Sequence, residues 1–286
     1  WATRVTTRPC AGDGDLRVPR AEPAAAPALR REGSTLSLAL PLGPPRYESG
    51  TFDQALHQTR EHFRTLVQGG AQLHLPDARL QDLWRALLCQ LHLFQRAGTL
   101  RYGVFPSAYE GLTFGCEEGW GALALAQLGQ GATGSRLLAA TLGSEEFLRK
   151  EGPHHQGRQG TALHFTLLVQ RLLRADKAQS VTAQAALQEL WPRLRASARW
   201  IVSSLQTTRT TQGQRPIHHA LMPKNGYGGD LQDPTYSIVS SAACWRGLRD
   251  AATLARWAGD DREAQGFAAE AQALRRDLLR ALDAGL

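Results

Sequence analysis

The sequence predicts an all-α fold, a toroid of helical hairpins that is incomplete at about seven helices. Ahead of it stand a short β or irregular segment and a linker helix. Three observations predict this. After Asp77 the apolar residues recur at intervals of three and four almost without a break. The helical segments alternate between ones that are apolar nearly all round and ones that carry a charged face. The connections alternate in step, short and then long. In antiparallel hairpins the two kinds of link lie at opposite ends. The N-termini of the buried helices are therefore expected to meet at one mouth, each fronted by a polar loop.

Residues 1–50 read as a remnant of an N-terminal sandwich. The first 33 are rich in Pro, Ala and Arg, and PRAEPAAAPALRRE reads as irregular or linker. Ser34 to Leu42 alternates like a strand and stops at Gly43-Pro44-Pro45. A lone strand cannot bury its face. Residues 51–76 form a linker helix. Phe52, Leu56, Phe63, Leu66 and Val67 share one side, Thr51 is a plausible N-cap and Gly69-Gly70 a stop.

Residues 77–286 form the partial barrel. Asp77 is an N-cap for a helix over 78–96, with Leu80, Leu83, Trp84, Leu87, Leu88, Leu91 and Phe94 inward. Further helices are expected from 117 to before Gly129, and over 135–149, 161–175, 182–206, 237–258 and 262–284. Pro192 should kink or break the fourth of these near Trp191. WGALALAQL, ALHFTLLVQRLL and SIVSSAACW belong to the buried class, and the helices between them look half exposed. A closed ring of six hairpins needs about 350 to 400 residues, at roughly 30 per helical pair plus loops, and the roughly 210 from Asp77 onward hold about seven of twelve helices.

Composition excludes several functions. The chain is 42% hydrophobic and 21% charged, a globular balance. Its net charge of +7 comes from arginine scattered through the helices, with no dense basic run, so no nucleic-acid partner is expected. No apolar run is long enough to cross a membrane, and no membrane partner is expected. Cys10, Cys89, Cys116 and Cys244 are far apart, and Cys89 and Cys244 sit in apolar helical patterns as small core residues. No metal and no cofactor are expected. Localisation and oligomeric state are left open.

Three polar loops lead into the buried helices. The first holds Tyr109, Glu110, Glu117, Glu118 and Trp120. Its acids suit either a helix N-terminus or the hydroxyls of a polyhydroxylated ligand, whose C–H face would stack on an aromatic ring. The second holds His155 and Arg158, which can donate to substrate oxygens or serve as plain loop polarity. The third, LMPKNGYGGDLQDPTYS, carries Tyr227, Asp230, Asp233 and Tyr236. Asp233 or Ser237 can cap the next helix. The alternative for Asp233 is general acid catalysis, in which a carboxyl protonates a glycosidic oxygen.

From about Asp77 the chain resembles the (α/α)6-barrel, or six-hairpin, glycosidases, which include glucoamylase-like and trehalase-like enzymes. GCEEGWGALALAQLG resembles the segment where those enzymes place a sugar-binding acid before a helix ending in A-L-x-x-x-G. LWPRLRASARWI resembles their outer helix, and GYGGDLQDPTYS resembles their D-L-W-E segment, with the general acid three after the aspartate. AATLARWAGDDREAQGFAAEAQAL resembles the helix pair that follows.

The resemblance implies a glycoside hydrolase of the inverting type, acting on an oligosaccharide or glycoside. Asp233 would be its acid with Asp230 as fallback, and Glu118, then Glu117, would bind sugar hydroxyls. Asp233 is an Asp where the family has Glu, and Pro234 follows it. The family's general base lies in the second half of the ring and is expected beyond residue 286. Three alternatives stay open. One is a sugar epimerase, which needs paired histidines from among His154, His155, His164, His218 and His219. The others are a polysaccharide lyase and a carbohydrate-binding half-barrel without turnover.

Overall fold

The structure is a computed structural model that describes residues 2–6, 28–32, 35–39, 52–96, 99–100, 115–144, 147, 157–210, 213, 215–224 and 234–285. The chain separates into two compact units, Trp1–Gly69 and Gly70–Leu286. The first contains an antiparallel sheet of β1 (Ala2–Thr6), β2 (Ala28–Glu32) and β3 (Thr35–Ala39), in the order β1-β3-β2. The predicted strand is thus the central one. Its register pairs Thr6 and Glu32 with Thr35. The stretch ALRRE, read as linker, is a strand instead. Only Gly33 and Ser34 separate it from β3, the length of a tight hairpin link. Helix α1 (Phe52–Gln68) falls within this first unit.

The second unit is built of helices. Helix α2 (Ala78–Leu93) begins at Asp77, whose side chain accepts the Arg79 N–H at 2.8 Å. It stops short of the expected Arg96, because Gln95–Arg96 (β4) pairs with Thr99–Leu100 (β5) in a small hairpin. Here one expectation fails. Leu80, Leu83 and Leu87 were assigned to the inward face, yet each is half exposed, and only Leu88 is fully buried. Periodicity marks which side of a helix is apolar but not whether a partner covers it. Cys89 is likewise only partly buried, whereas Cys244 is in the core.

Three hairpins follow. They pair α3 (Cys116–Gln127) with α4 (Gly131–Gly143), α5 (Arg158–Ala175) with α6 (Ser180–Gln206), and α7 (Ile238–Ala258) with α8 (Asp261–Gly285). Two of the short links use the same device. At Gly129 and Gly259 the backbone takes φ +82°, and paired N–H groups satisfy the last carbonyls of the helix. Asp260 then accepts the Glu263 N–H at 3.2 Å and starts α8. Helix α6 runs unbroken through Pro192. Gln188, whose carbonyl loses the bond that proline cannot make, is exposed along with Pro192, so water can replace it.

Contacts set the helix directions. Gly115 lies against Arg158, and Gly119 against Phe165, so α3 and α5 run parallel. Gly160 lies against Ala243 and Gly247, and His164 bonds Asp250, so α5 and α7 also run parallel. Arg193 donates to the Ala139 carbonyl, and Arg199 pairs with Glu263, along the flanking helices α4, α6 and α8. The flanking helices bury one face only. In α6 that face is Leu187, Leu190, Leu194, Ala198, Ile201 and Leu205, and in α8 it includes Phe267, Ala271, Leu274 and Leu278.

Helix α7 starts at Ser237, whose hydroxyl accepts the Ser240 N–H at 3.1 Å. Ser237, rather than Asp233, is therefore the capping residue. Ser237→Ala should lower stability by about 1 kcal/mol. The urea midpoint would measure it, and an unshifted midpoint would show that water caps the helix equally well.

Candidate functional site

The first turns of α3, α5 and α7 lie side by side. Gly115 contacts Arg158, and Gly157 contacts Ser240 and Ala243. Each of these helices carries incompletely covered residues. On α3 they include Glu117, Trp120 and Ala124. On α5 they include Thr161, His164, Leu168 and Arg171, and on α7 Ala242, Arg246, Arg249 and Thr253. His164 meets Asp250 beside Arg246 and Arg249, and Trp120 meets Phe165, the neighbour of His164, so these residues form one open face.

Several expected site residues meet different surroundings. Glu118 is 2% exposed, and its Oε2 accepts the Gly115 N–H at 2.7 Å. It closes the N-terminus of α3, the capping alternative raised by the sequence. Glu117 is partly exposed and accepts from the Cys116 thiol. Burial, then the bond and charge of Glu117, push that thiol up to about 12, so it stays protonated. Arg158 is buried in the first turn of α5, with its guanidinium 5.3 Å from the centre of the Phe147 ring. Tyr236 has one ring face covered by His218, stacked at 4.2 Å, and Lys224 lies 5.4 Å from the same ring. Tyr109, Glu110, His155, Tyr227, Asp230 and Asp233 lie outside the described residues.

Trp120 does stand on the open face. It is 65% exposed and meets Phe165 edge-on at 4.9 Å. A large ring left this open is unusual on a helix whose neighbours are buried. Beside it, the structure assembles a cluster that sequence reasoning did not. His164 Nδ1 lies 2.6 Å from Asp250 Oδ2, joining α5 to α7. Asp250 also accepts from Arg246 Nε at 3.2 Å and from Arg249 Nε and Nη2 at 3.1 and 3.0 Å. Burial raises the Asp250 carboxyl, but the bonds from His164 and Arg249 outweigh it and hold the group below its ordinary range. An ionised carboxylate only accepts, so His164 carries its proton on Nδ1 and offers Nε2 to the open face. His164 and Asp250 are 86 positions apart; the sequence offers His164 among the histidines an epimerase would need, and nothing local marks Asp250 as its partner.

Below the third loop, His219 is buried, which holds its imidazole below its ordinary range. Its Nδ1 accepts the Thr210 N–H at 3.0 Å, and Arg280 donates to the carbonyls of Pro216 and His219. These bonds fix the backbone that leads to His218 and the Tyr236 stack. Among the described residues no group of three or more His, Cys, Asp or Glu gathers as a metal site, and no helix is long and apolar enough to cross a membrane. The chain matches no known protein family, no curated protein and no solved structure.

Proposed function

We propose that the helical unit is an incomplete α/α toroid whose open inner face binds a saccharide, and that the chain belongs to a glycoside hydrolase. One observation carries the reading. An exposed tryptophan and a charged cluster share one face of three parallel helices whose first turns adjoin. Sugars ask for this pairing, because their C–H faces stack on aromatic rings and their hydroxyls seek charged partners. The sequence resemblance adds the chemistry. Asp233, four residues before the Ser237 cap, would give its proton to the glycosidic oxygen as the bond to the anomeric carbon breaks, and water would add at that carbon while a second carboxylate, the general base, takes its proton.

Asp233→Asn should remove most turnover of an aryl glycoside and leave the circular dichroism spectrum unchanged. Near-normal turnover would reject Asp233 as the acid. The His164–Asp250 pair favours a second reading, in which His164 moves a proton to or from a sugar carbon, as an epimerase requires. Incubation with monosaccharides in deuterated water separates the two. Deuterium appears at a ring carbon only under the second.

A further inference from the structure

Among the described residues, the charges on the open face do not balance. Asp250 supplies one negative charge, is 3% exposed, and is shared by two permanent cations, Arg246 and Arg249, and by His164. Arg246 is 41% exposed and Arg249 half exposed, so both reach solvent from the side opposite their buried partner. Each spends its Nε on Asp250. The Nη groups of Arg246 meet no protein acceptor among the described residues, and neither arginine pairs with a second carboxylate there. Farther along α5, on the same line as His164, stands the exposed Arg171. The face therefore holds a surplus of positive charge, part of it presented by guanidinium N–H groups already oriented by a buried anchor.

The surplus sits next to an aromatic surface. Phe165 contacts Trp120, with centroids 4.9 Å apart, and its chain neighbour His164 at 5.5 Å, so this buried ring links the exposed indole to the cationic cluster. Among the described residues of α3, the partly exposed acid Glu117 belongs to the first turn and is engaged by Cys116. Arginine pairs with carboxylates through parallel N–H groups, and such bonds are stronger than those to neutral hydroxyls. A nucleic acid would need a track of cations matched to successive phosphates, and one compact centre beside one indole does not provide it.

We propose that this face takes an acidic saccharide, with the carboxylate of a uronic acid unit at the Arg246 guanidinium and a neighbouring sugar ring on Trp120. The inference rests on the saccharide reading above and narrows it to a substrate class.

The test is calorimetric titration of the full chain with three probes: a glucuronic-acid-terminated disaccharide, its glucose-terminated analogue, and acetate alone. The acidic disaccharide should bind about tenfold more tightly than the neutral one at low salt. That ratio should fall as salt is added and collapse toward one in Arg246→Gln, a substitution at a partly exposed position that leaves helix packing intact. Equal binding of the two disaccharides would overturn the acidic preference while leaving the saccharide reading standing. Binding of neither would overturn both. Acetate binding as tightly as the acidic disaccharide would reduce the cluster to a simple anion site and overturn the proposal. A ratio that survives in Arg246→Gln would also overturn it.

Discussion

Replacing Asp250 with alanine is expected to lower the free energy of unfolding by about 3 kcal/mol, the range for losing a buried charged acceptor and its hydrogen bonds. The carboxylate ties α5 to α7 through His164 and anchors two arginines of its own helix. The cost stays below that of stranding a fully buried charge. The cations left behind are partly exposed and can regain water. The effect should also depend on pH. In the fold the carboxyl is held below its ordinary range, first against burial and then by the bonds from His164 and Arg249. In the unfolded chain it titrates near its usual value, about 3.9. Its contribution is therefore complete above that value and is lost as pH falls through it toward the lower folded value. Urea midpoints from neutral pH down into this acidic range should show the native chain losing the most and Asp250→Ala the least. Parallel curves for the two proteins would mean that the pair contributes nothing to acid sensitivity.

Gly247→Ala is expected to destabilise by about 2 kcal/mol, although alanine is the better helix former. A Cβ at Gly247 would overlap Gly160 Cα and come within 2.7 Å of the Gly160 carbonyl oxygen. The obstacle is backbone, so no rotamer change relieves it. The helices would have to separate, stretching the His164–Asp250 bond one turn farther along. The gain in helix propensity, about 1 kcal/mol, is smaller than the packing cost of about 3 kcal/mol expected where two backbones meet. Gly266 on α8 gives the opposite sign. It is exposed with nothing near its virtual Cβ, so Gly266→Ala should stabilise by roughly 0.5–1 kcal/mol. Thermal melts of both variants decide the matter. A stabilised Gly247→Ala would mean that α5 and α7 do not approach this closely.

Much of the helical unit was readable before any coordinates. Asp77 caps the helix it precedes, and α6 and α8 stand where the apolar period of three and four marks helices. The alternation of hydropathy separates the largely buried α5 from α6 and α8, which bury one face, but not α3 from α4, each about half buried. The limits of these readings are instructive. The expected helix over 135–149 begins earlier, at Gly131, and Gly131 and Gly134 are buried against Leu173 and Ala122, where larger side chains would not fit. ALRRE was read as linker, yet it pairs along β3, since a strand's partner compensates for weak local preference. Leu80, Leu83 and Leu87 have the spacing of a core face but no such environment.

The site was legible only in part. Trp120 was picked out and does stand on the open face, whereas Glu118 turns inward to a backbone N–H and Arg158 lies buried near Phe147. Hydropathy, capping signals and turn residues are local, carried within a few positions, and by themselves they determined which stretches form helices and which side of each is apolar. Whether Gly160 meets Gly247, and whether His164 meets Asp250, depend on how far each helix is rotated and slid against its neighbour. Only the tertiary packing decides that, because rotation and register are set by the fit of two surfaces far apart in the chain.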